Sequence, residues 1–307
     1  MGLFVVGLEN TPLNAKDGAI TIGNFDGVHR GHRELVSRLH RMADQVSGPA
    51  VVLTFDPPPA QLLRPHSVPP SLTWMERRAE ILFELGVDAV CVCKTTRTLL
   101  ELSAEAFFRE ILIDTLRVSA IVEGPNFRFG KDRLGDIDLL RELCEENKIQ
   151  LSIASGQSED GEWISSSRIR SLIAHGAIED ANRLLVKPYR LTGIVGRGAS
   201  RGKTIGFPTA NLEHVPVMIP LHGVYAGRGF FKGRSYPAAI NIGPNPTFGE
   251  SASKIEVHIL DFESDLYGQK LEVELLERLR GIKNFSGVGE LVEQLKIDIQ
   301  QTRAIAG

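Results

Sequence analysis

Four stretches of the chain combine residue types and spacings suited to chemistry on phosphate groups. The first is Gly23-Asn24-Phe25-Asp26-Gly27-Val28-His29-Arg30-Gly31-His32. It follows a short apolar run and opens a helical pattern, so His29 and His32 would lie one turn apart at a helix N-terminus. A helix start offers unpaired backbone N–H groups and a partial positive charge, both suited to phosphate. Gly27 and Gly31 let a ligand approach the backbone. Imidazole N–H groups there can donate to phosphoryl oxygens as charge develops on them. Two histidines at this spacing also fit half of a metal site, but no third ligand stands nearby and no H-E-x-x-H occurs. A plain histidine-rich helix start is a third reading, and the segment alone leaves the three open.

The second stretch is WISSSRIRSLIAHG, from Trp163. Ser165, Ser166 and Ser167 precede Arg168 and Arg170, so hydroxyls at a helix start are followed by guanidinium groups. That is an anion cradle, or else an ordinary N-cap. The third stretch, GRGASRGKTIGFPTANL, runs from Gly196 to Leu212. It imitates a P-loop but has one residue too few before its Gly-Lys pair, and Pro208 prevents the helix that a P-loop must open. Gly196, Gly198, Arg201, Gly202 and Lys203 still suit a phosphate cradle, and a hairpin loop is the competing reading. In PTAN, an extended backbone puts Thr209 and Asn211 on one face, and their oxygens suit Mg²⁺. The fourth stretch, KIEVHILDF, sets Glu256 in a strand as a candidate general base. From pattern alone Glu256 reads as solvent-facing, because Lys254, Glu256 and His258 alternate with Ile255, Val257 and Ile259.

The elements that must position these groups fall into two sets. Up to about Leu185, strand and helix signals alternate: AITIG, then a helix with Leu35, Leu39, Met42 and Val46 in phase, then AVVLTF, MERRAEILFELG, DAVCVCK, SAEAFFREILIDTL, SAIVEG, DIDLLRELCEENK and IQLSIA. Gly86 is the expected C-terminal stop of one helix and Ser103 the N-cap of another. The alternation predicts a parallel sheet covered on both faces. Beyond VKPYRLTG come short β-like runs punctuated by Gly and Pro, which predict a small antiparallel barrel. A final amphipathic helix carries Leu291, Leu295 and Ile299. The expected boundary divides residues 1–186 from 187–307.

The chain has 307 residues, enough for two domains, with 42% hydrophobic and 24% charged residues, as in ordinary globular proteins. The net charge of −3 supplies no basic face for nucleic acid. The three cysteines, Cys91, Cys93 and Cys144, form no C-x-x-C pair, so neither a disulfide framework nor a thiolate zinc site is expected. Neither a signal peptide nor a membrane-length apolar run is found, so a cytoplasmic location without membrane contact is expected. There are no internal repeats or low-complexity tracts.

The pair H-x-G-H and I-S-S-S-x-x-R resembles the signature of the nucleotidyltransferase superfamily, where the second motif usually reads I-S-S-T-x-x-R; Ser167 keeps the hydroxyl. GNFDGVHRGH, with TFDPPP (Thr54 to Pro59) and GPNFRFGKDRLGD (Gly124 to Asp136), resembles one branch of it. That branch is the prokaryotic bifunctional riboflavin kinase/FMN adenylyltransferase family, the FAD synthetases. In the second half GFPTANL, GVYAG, NIGPNPTF, EVHILDF and LYG match the riboflavin kinase module in order and spacing. The resemblance extends from about Ile20 to Thr302.

It implies a Rossmann-like nucleotidyltransferase domain over residues 1–186. A small antiparallel barrel with a terminal helix, the riboflavin kinase, would occupy residues 187–307. The expected reactions are phosphorylation of riboflavin to FMN and adenylylation of FMN to FAD, each with ATP as co-substrate and Mg²⁺ as cofactor, with flavoproteins as recipients of the products. Glu256, His29, His32 and Arg170 carry the implied catalytic roles. Gly23, Phe25, Gly27, Gly31, Ser165, Ser166 and Ser167 would hold one ATP, and the Gly196–Lys203 loop the other. Thr209 and Asn211 would serve the metal, and Asn126 and Arg280 the flavin. Three departures stand out. Pro58 replaces the histidine of the family's Pro-His-Pro, Asn126 replaces an aspartate common among relatives, and LLVKPY replaces LLGRPY. Losing one hydrogen bond to a transition state costs on the order of a hundredfold in rate. The alternative that Pro58 raises is therefore a riboflavin kinase whose N-terminal domain only binds nucleotide or flavin.

Overall fold

Apolar runs such as Ala50–Asp56, whose first five residues are buried, have the composition of strands covered on both faces. A computed structural model describes residues 2–197, 206–245 and 250–307. The chain packs as two compact units. One runs through Pro69 and from Met75 to Ser165; the other comprises Pro70–Trp74 and Ser166 onward.

The first unit contains β1 (Leu3–Val6), β2 (Ala19–Ile22), α1 (Arg30–Val46), β3 (Ala50–Asp56), α2 (Pro59–Leu63), α3 (Met75–Glu84), β4 (Ala89–Lys94), α4 (Arg97–Leu100), α5 (Ala104–Phe107), β5 (Ala120–Glu123), α6 (Ile137–Glu146), β6 (Gln150–Ile153), β7 (Ser158–Glu159) and β8 (Glu162–Trp163). Its main sheet has six parallel strands in the order β1-β4-β3-β2-β5-β6. From β2 the chain builds outward through β3 and β4, then crosses back to add β5 and β6 on the other side. The strand order therefore reverses between β2 and β5, and the loops leaving their carboxyl ends frame the crevice where such sheets bind ligands.

Cys91 and Cys93 of β4, as their alternation suggested, and Cys144 of α6 are buried and free and help fill the core. Gly86, at φ 96°, ends α3, and Ser103 caps α5 by accepting from the Ala106 N–H at 3.1 Å. The predicted single helix after Ser103 instead continues as wider π-type turns over Phe108–Thr115, which bury Phe108 and Leu112. The buried face of α1 is Val36, Leu39 and Ala43, with Leu35, Met42 and Val46 half-buried. The most buried stripe keeps Leu39 and shifts by one position on either side of it, from Leu35 to Val36 and from Met42 to Ala43.

The second unit contains α7 (Ser166–Ala174), α8 (Ile178–Leu184), β9 (Arg190–Gly196), β10 (Ala210–Glu213), β11 (Gly223–Phe231), β12 (Arg234–Asn245), β13 (Glu250–Ile259), β14 (Lys270–Arg280) and the terminal α9 (Val288–Ala306). Its strands close into an antiparallel barrel in the order β10-β13-β12-β11-β14-β9. The sequence pattern groups α7 and α8 with the first domain, whereas their packing groups them with the barrel. Asn182 on α8 donates to the Leu275 carbonyl of β14 at 2.9 Å and accepts from the Tyr189 N–H at 2.7 Å. Both bonds are made by one amide, which leaves α8 little freedom to leave the strand.

Inside the barrel lie Ile240, Ile242, Ile255, Val257, Leu271, Val273 and Leu275. The period-2 alternation of β13 thus points its apolar residues inward, as the sequence indicated. Helix α9 lies against β11, β12 and β14. Its most buried positions are Asp298, Thr302 and Ala306, while Leu291, Leu295 and Ile299 are half-buried. An aspartate faces inward because Arg280 of β14 meets it: the guanidinium donates to both Asp298 oxygens, the shortest contact being 2.8 Å. Gln294 adds a further bond to Asp298 at 3.0 Å.

Breaking a buried ion pair from one side strands the other charge. Asp298→Ala should therefore lower the unfolding free energy by on the order of 3 kcal/mol, read by urea titration. Replacing both partners, Arg280→Met with Asp298→Leu, should recover most of that loss. A loss below about 1 kcal/mol in the single variant would show that α9 is held by its apolar contacts instead.

Candidate active sites

The segment after β2 is wound tightly. Phe25, Gly27 and Val28 have φ of 48°, 85° and 37°. Positive φ is unusual for phenylalanine and more so for a β-branched valine. The turn is held by burial of Phe25 and Val28 and by an ion pair beneath it, in which Arg78 of α3 donates to Asp26 at 3.2 Å. Both charged side chains are almost wholly buried.

At the start of α1 the two histidines cap the helix reciprocally. Nδ1 of His29 accepts from the His32 N–H at 3.3 Å, and Nδ1 of His32 accepts from the His29 N–H at 3.2 Å. The rings stack with centroids 3.6 Å apart. A neutral imidazole that accepts at Nδ1 carries its proton on Nε2. Burial lowers the His29 pKa from 6.5 to about 4, against the raising influence of Asp26. His32 is held well below the ordinary histidine range, first by burial and then by the neighbouring His29 and Arg78. The site therefore presents two neutral Nε2–H donors. A Cβ on Gly31 would stand 3.1 Å from Nδ1 of His29 and 3.7 Å from the Ile164 carbonyl. Glycine thus lets the ring and the segment leading to Ser165 share one side of the helix start.

Gly23 begins this loop and follows the last residue of β2 directly. Across the switch point the loop after β5 begins at Gly124 and exposes Asn126, followed by stacked Phe127 and Phe129, centroids 5.5 Å apart. Pro58, in the histidine position of the family motif, caps α2 just beyond the carboxyl end of β3. The structure thus brings Gly23, Phe25, Gly27, His29, Gly31 and His32 together, with Ile164 and Ser165 alongside Gly31. Ser166, Ser167 and Arg170 belong to the second unit, where α7 begins at Ser166. There the Arg170 Nε donates to the Pro70 carbonyl at 2.9 Å.

The barrel site is a row set by strand register. Gly196 pairs with Asn211, Asn211 with Glu256, Glu256 with Asn241, Asn241 with Val224, and Val224 with Arg280. Residues directly opposite on neighbouring strands share a face, so Asn211, Glu256 and Asn241 stand side by side on the outer face. Thr209 is exposed one residue before β10. His258, two residues beyond Glu256, donates from Nδ1 to the Pro208 carbonyl at 2.7 Å and meets the Phe207 ring edge-on. It thereby ties the PTAN segment to β13. Arg280, expected on the flavin, ends the row with its guanidinium on Asp298 and on the Gly281 carbonyl at 3.1 Å. Gly198, Arg201, Gly202 and Lys203 lie outside the described residues.

Asn241 and His258 were absent from the sequence-derived site. Asn241 was detectable as the polar residue between Ile240 and Ile242, but only register reveals that it faces Glu256. Among the described residues no group of three or more His, Cys, Asp or Glu side chains is placed to hold a metal ion. The groups expected from the sequence to serve Mg²⁺ are the hydroxyl of Thr209 and the amide oxygen of Asn211. Both are hard oxygen ligands of the kind this ion takes beside substrate phosphates.

The FAD synthetase family profile matches residues 11–168, and the riboflavin kinase profile matches residues 185–306. Proteins named bifunctional riboflavin kinase/FMN adenylyltransferase align over almost the whole chain. The one from Pseudomonas fluorescens is 35% identical, covering 99% of this chain and 97% of that protein. The one from Listeria monocytogenes is 37% identical, covering 93% and 91%. A crystal structure described as a macrolide-efflux protein from Streptococcus pneumoniae superposes with a TM-score of 0.87 at 30% identity, covering 98% of this chain and 99% of that one. No helix among the described residues is long and apolar enough to cross a membrane. Matched in both halves and along nearly its full length, the chain belongs to the bifunctional riboflavin kinase/FMN adenylyltransferase family.

Proposed function

We propose that this chain converts riboflavin to FMN and FMN to FAD, using one ATP at each step. The observation that carries the reading is the pairing of two distinct sites with the two matched families. The reciprocal His29/His32 cap lies within the FAD synthetase match, and the Asn211–Glu256–Asn241 row lies within the riboflavin kinase match. Functionally, residues 1–186 form the adenylyltransferase and 187–307 the kinase, whatever the packing of α7 and α8.

In the kinase, Glu256 accepts the proton of the ribityl 5′-hydroxyl as its oxygen attacks the γ-phosphorus of ATP. The new O–P bond forms as the bond to the β-phosphate oxygen breaks, and ADP leaves. Thr209 and Asn211 would hold Mg²⁺ against the phosphates, and the Gly196–Lys203 loop would cradle them. The ion supplies neutralisation of the charge that spreads over the transferring group. His258 keeps Thr209 in place through the Pro208 carbonyl.

In the adenylyltransferase, a phosphate oxygen of FMN attacks the α-phosphorus of ATP and pyrophosphate leaves. The nucleophile is already anionic, so no general base is needed. The Nε2–H groups of His29 and His32 donate to the triphosphate, with Ser165 as a further contact, and Asn126 lies on the flavin side. A cytoplasmic enzyme with apo-flavoproteins as recipients of its products goes with this reading.

Pro58 favours one second reading, a kinase whose first unit binds ligand without turnover. Incubation with Mg-ATP, from riboflavin and separately from FMN, followed by chromatography of the flavins, decides between them. FAD from both substrates supports the bifunctional reading, whereas FMN without FAD supports the second. Glu256→Gln should reduce FMN formation by about a hundredfold or more while FAD formation from FMN continues; retained kinase activity would remove Glu256 from its role. His29→Ala should give the opposite split, with FAD formation down about a hundredfold and FMN formation intact. FAD made at the normal rate by that variant would refute the N-terminal assignment.

A further inference from the structure

One buried acid takes no part in the chemistry above. Glu123 is the last residue of β5, with only 2% of its surface exposed. Around it the sheet is asymmetric. β2 stays paired with β3 as far as Ile22–Leu53, and β5 stays paired with β6 as far as Glu123–Ile153. Between each other, however, β2 and β5 pair only at Ala19–Ala120 and Ile20–Ile121. The two strands part over their last residues, and this gap is the switch point from which both ligand loops leave.

The Ile22 N–H, which points into the gap, would be a buried donor with no main-chain acceptor. Oε1 of Glu123 accepts from it at 2.6 Å. The same carboxyl accepts from the N–H of Gly124. Ile22 is the root of the loop that leads to His29, and Gly124 is the root of the loop that carries Asn126. One side chain therefore bonds to the base of the loop on the triphosphate side and to the base of the loop on the flavin side. Leaving a buried N–H unpaired is costly, so the carboxyl also keeps the strands from closing or admitting water at random.

We propose that Glu123 is a positioning residue for adenylyl transfer, a brace that sets the separation of the two ligand loops and so the distance between the FMN phosphate and the α-phosphorus of ATP. The inference rests on the adenylyltransferase reading. Burial also pushes the carboxyl well above the usual carboxylate range, against the N–H bonds it accepts, which favour its charged form.

A brace acts through reach. Glu123→Gln keeps the length and a neutral acceptor oxygen, Glu123→Asp keeps the carboxyl but shortens it by one methylene, and Glu123→Leu removes the acceptor. Small misplacements of reacting groups cost up to about a hundredfold in rate. The Asp and Leu variants should lower kcat for FAD formation at least about tenfold. KM for ATP and for FMN should stay within about twofold and riboflavin phosphorylation should be unchanged, because each loop still binds its own ligand. The Gln variant should stay within about threefold of the original kcat.

Glu123→Asp decides the matter, since it retains the chemistry of the group. An Asp variant with unchanged kcat overturns the proposal. So does a loss of kcat that comes with raised KM for both substrates and a lowered melting temperature, the pattern of a general structural role. A Gln variant as impaired as Leu overturns reach and hydrogen-bond acceptance as the basis of the brace. A parent enzyme that makes no FAD in the same assay removes the adenylyltransferase reading and this inference with it, and that outcome is visible before any variant is measured.

Discussion

The parting of β2 and β5 after Ile20 and Ile121 is the constraint on which the chemistry of the first unit depends. A parallel sheet whose order reverses must leave a gap at the carboxyl ends of two neighbouring strands, because no connection crosses there. Everything placed at the first site is placed relative to that gap. The turn through Phe25 and Val28 carries the chain from β2 to α1, and its unfavourable backbone is held by the Asp26–Arg78 pair below. The helix then starts where the reciprocal histidine cap consumes two orphan N–H groups. The same bonds that satisfy the backbone fix both tautomers, so a structural requirement of the helix start also sets which nitrogen can donate.

The barrel obeys a different constraint. Side chains in a strand alternate with period 2, so a slip of one register position would turn Glu256 inward among Ile240 and Ile242, and Val257 outward. The apolar alternation of β13 and β12 forbids that slip. The Asn211–Glu256–Asn241 row is therefore held on the outer face by the hydrophobic core behind it, with no need for a dedicated scaffold. His258 extends the arrangement to the PTAN segment, and the Arg280–Asp298 pair fastens β14 to α9 at the far end of the row.

Much of this was legible in the sequence. Period-2 and helical patterns carry element type, so the parallel sheet, the barrel and the terminal helix were readable, as were the Gly86 stop and the Ser103 cap. Motif spacing singled out His29, His32, Thr209 and Asn211 as candidates, and the family resemblance singled out Glu256. What was not legible depends on tertiary placement. A single sequence contains no register, so Asn241 looked like one more polar strand residue. Hydrophobic periodicity identifies an amphipathic helix without fixing its azimuth, so α1 is rotated by one position. On α9, Asp298 is buried only because Arg280 lies opposite. Grouping of α7 and α8 with the barrel involves packing of α8 on β14, where the Asn182 amide meets Leu275, 93 residues away in sequence. Glu123 closed an apolar strand and carried no motif.

The two sites handle negative charge in opposite ways, and the chemistry of the two nucleophiles explains the difference. A ribityl hydroxyl must lose a proton to attack phosphorus, so a kinase site benefits from a carboxylate that can receive it, the role proposed for Glu256 on the outer face of its strand. The phosphate of FMN is already ionised, with a second pKa of about 6 for such esters. At the adenylyl site a free carboxylate would give no proton-transfer advantage and would repel both substrates. The acids built into that site have their charge opposed: Asp26 is paired with Arg78, and burial pushes the Glu123 carboxyl well above the usual carboxylate range. The histidines, kept uncharged, donate from Nε2 without bringing a proton that must later be disposed of. An anion joined to an anion calls for a site stripped of its own negative charge, and the first unit meets that demand with buried partners.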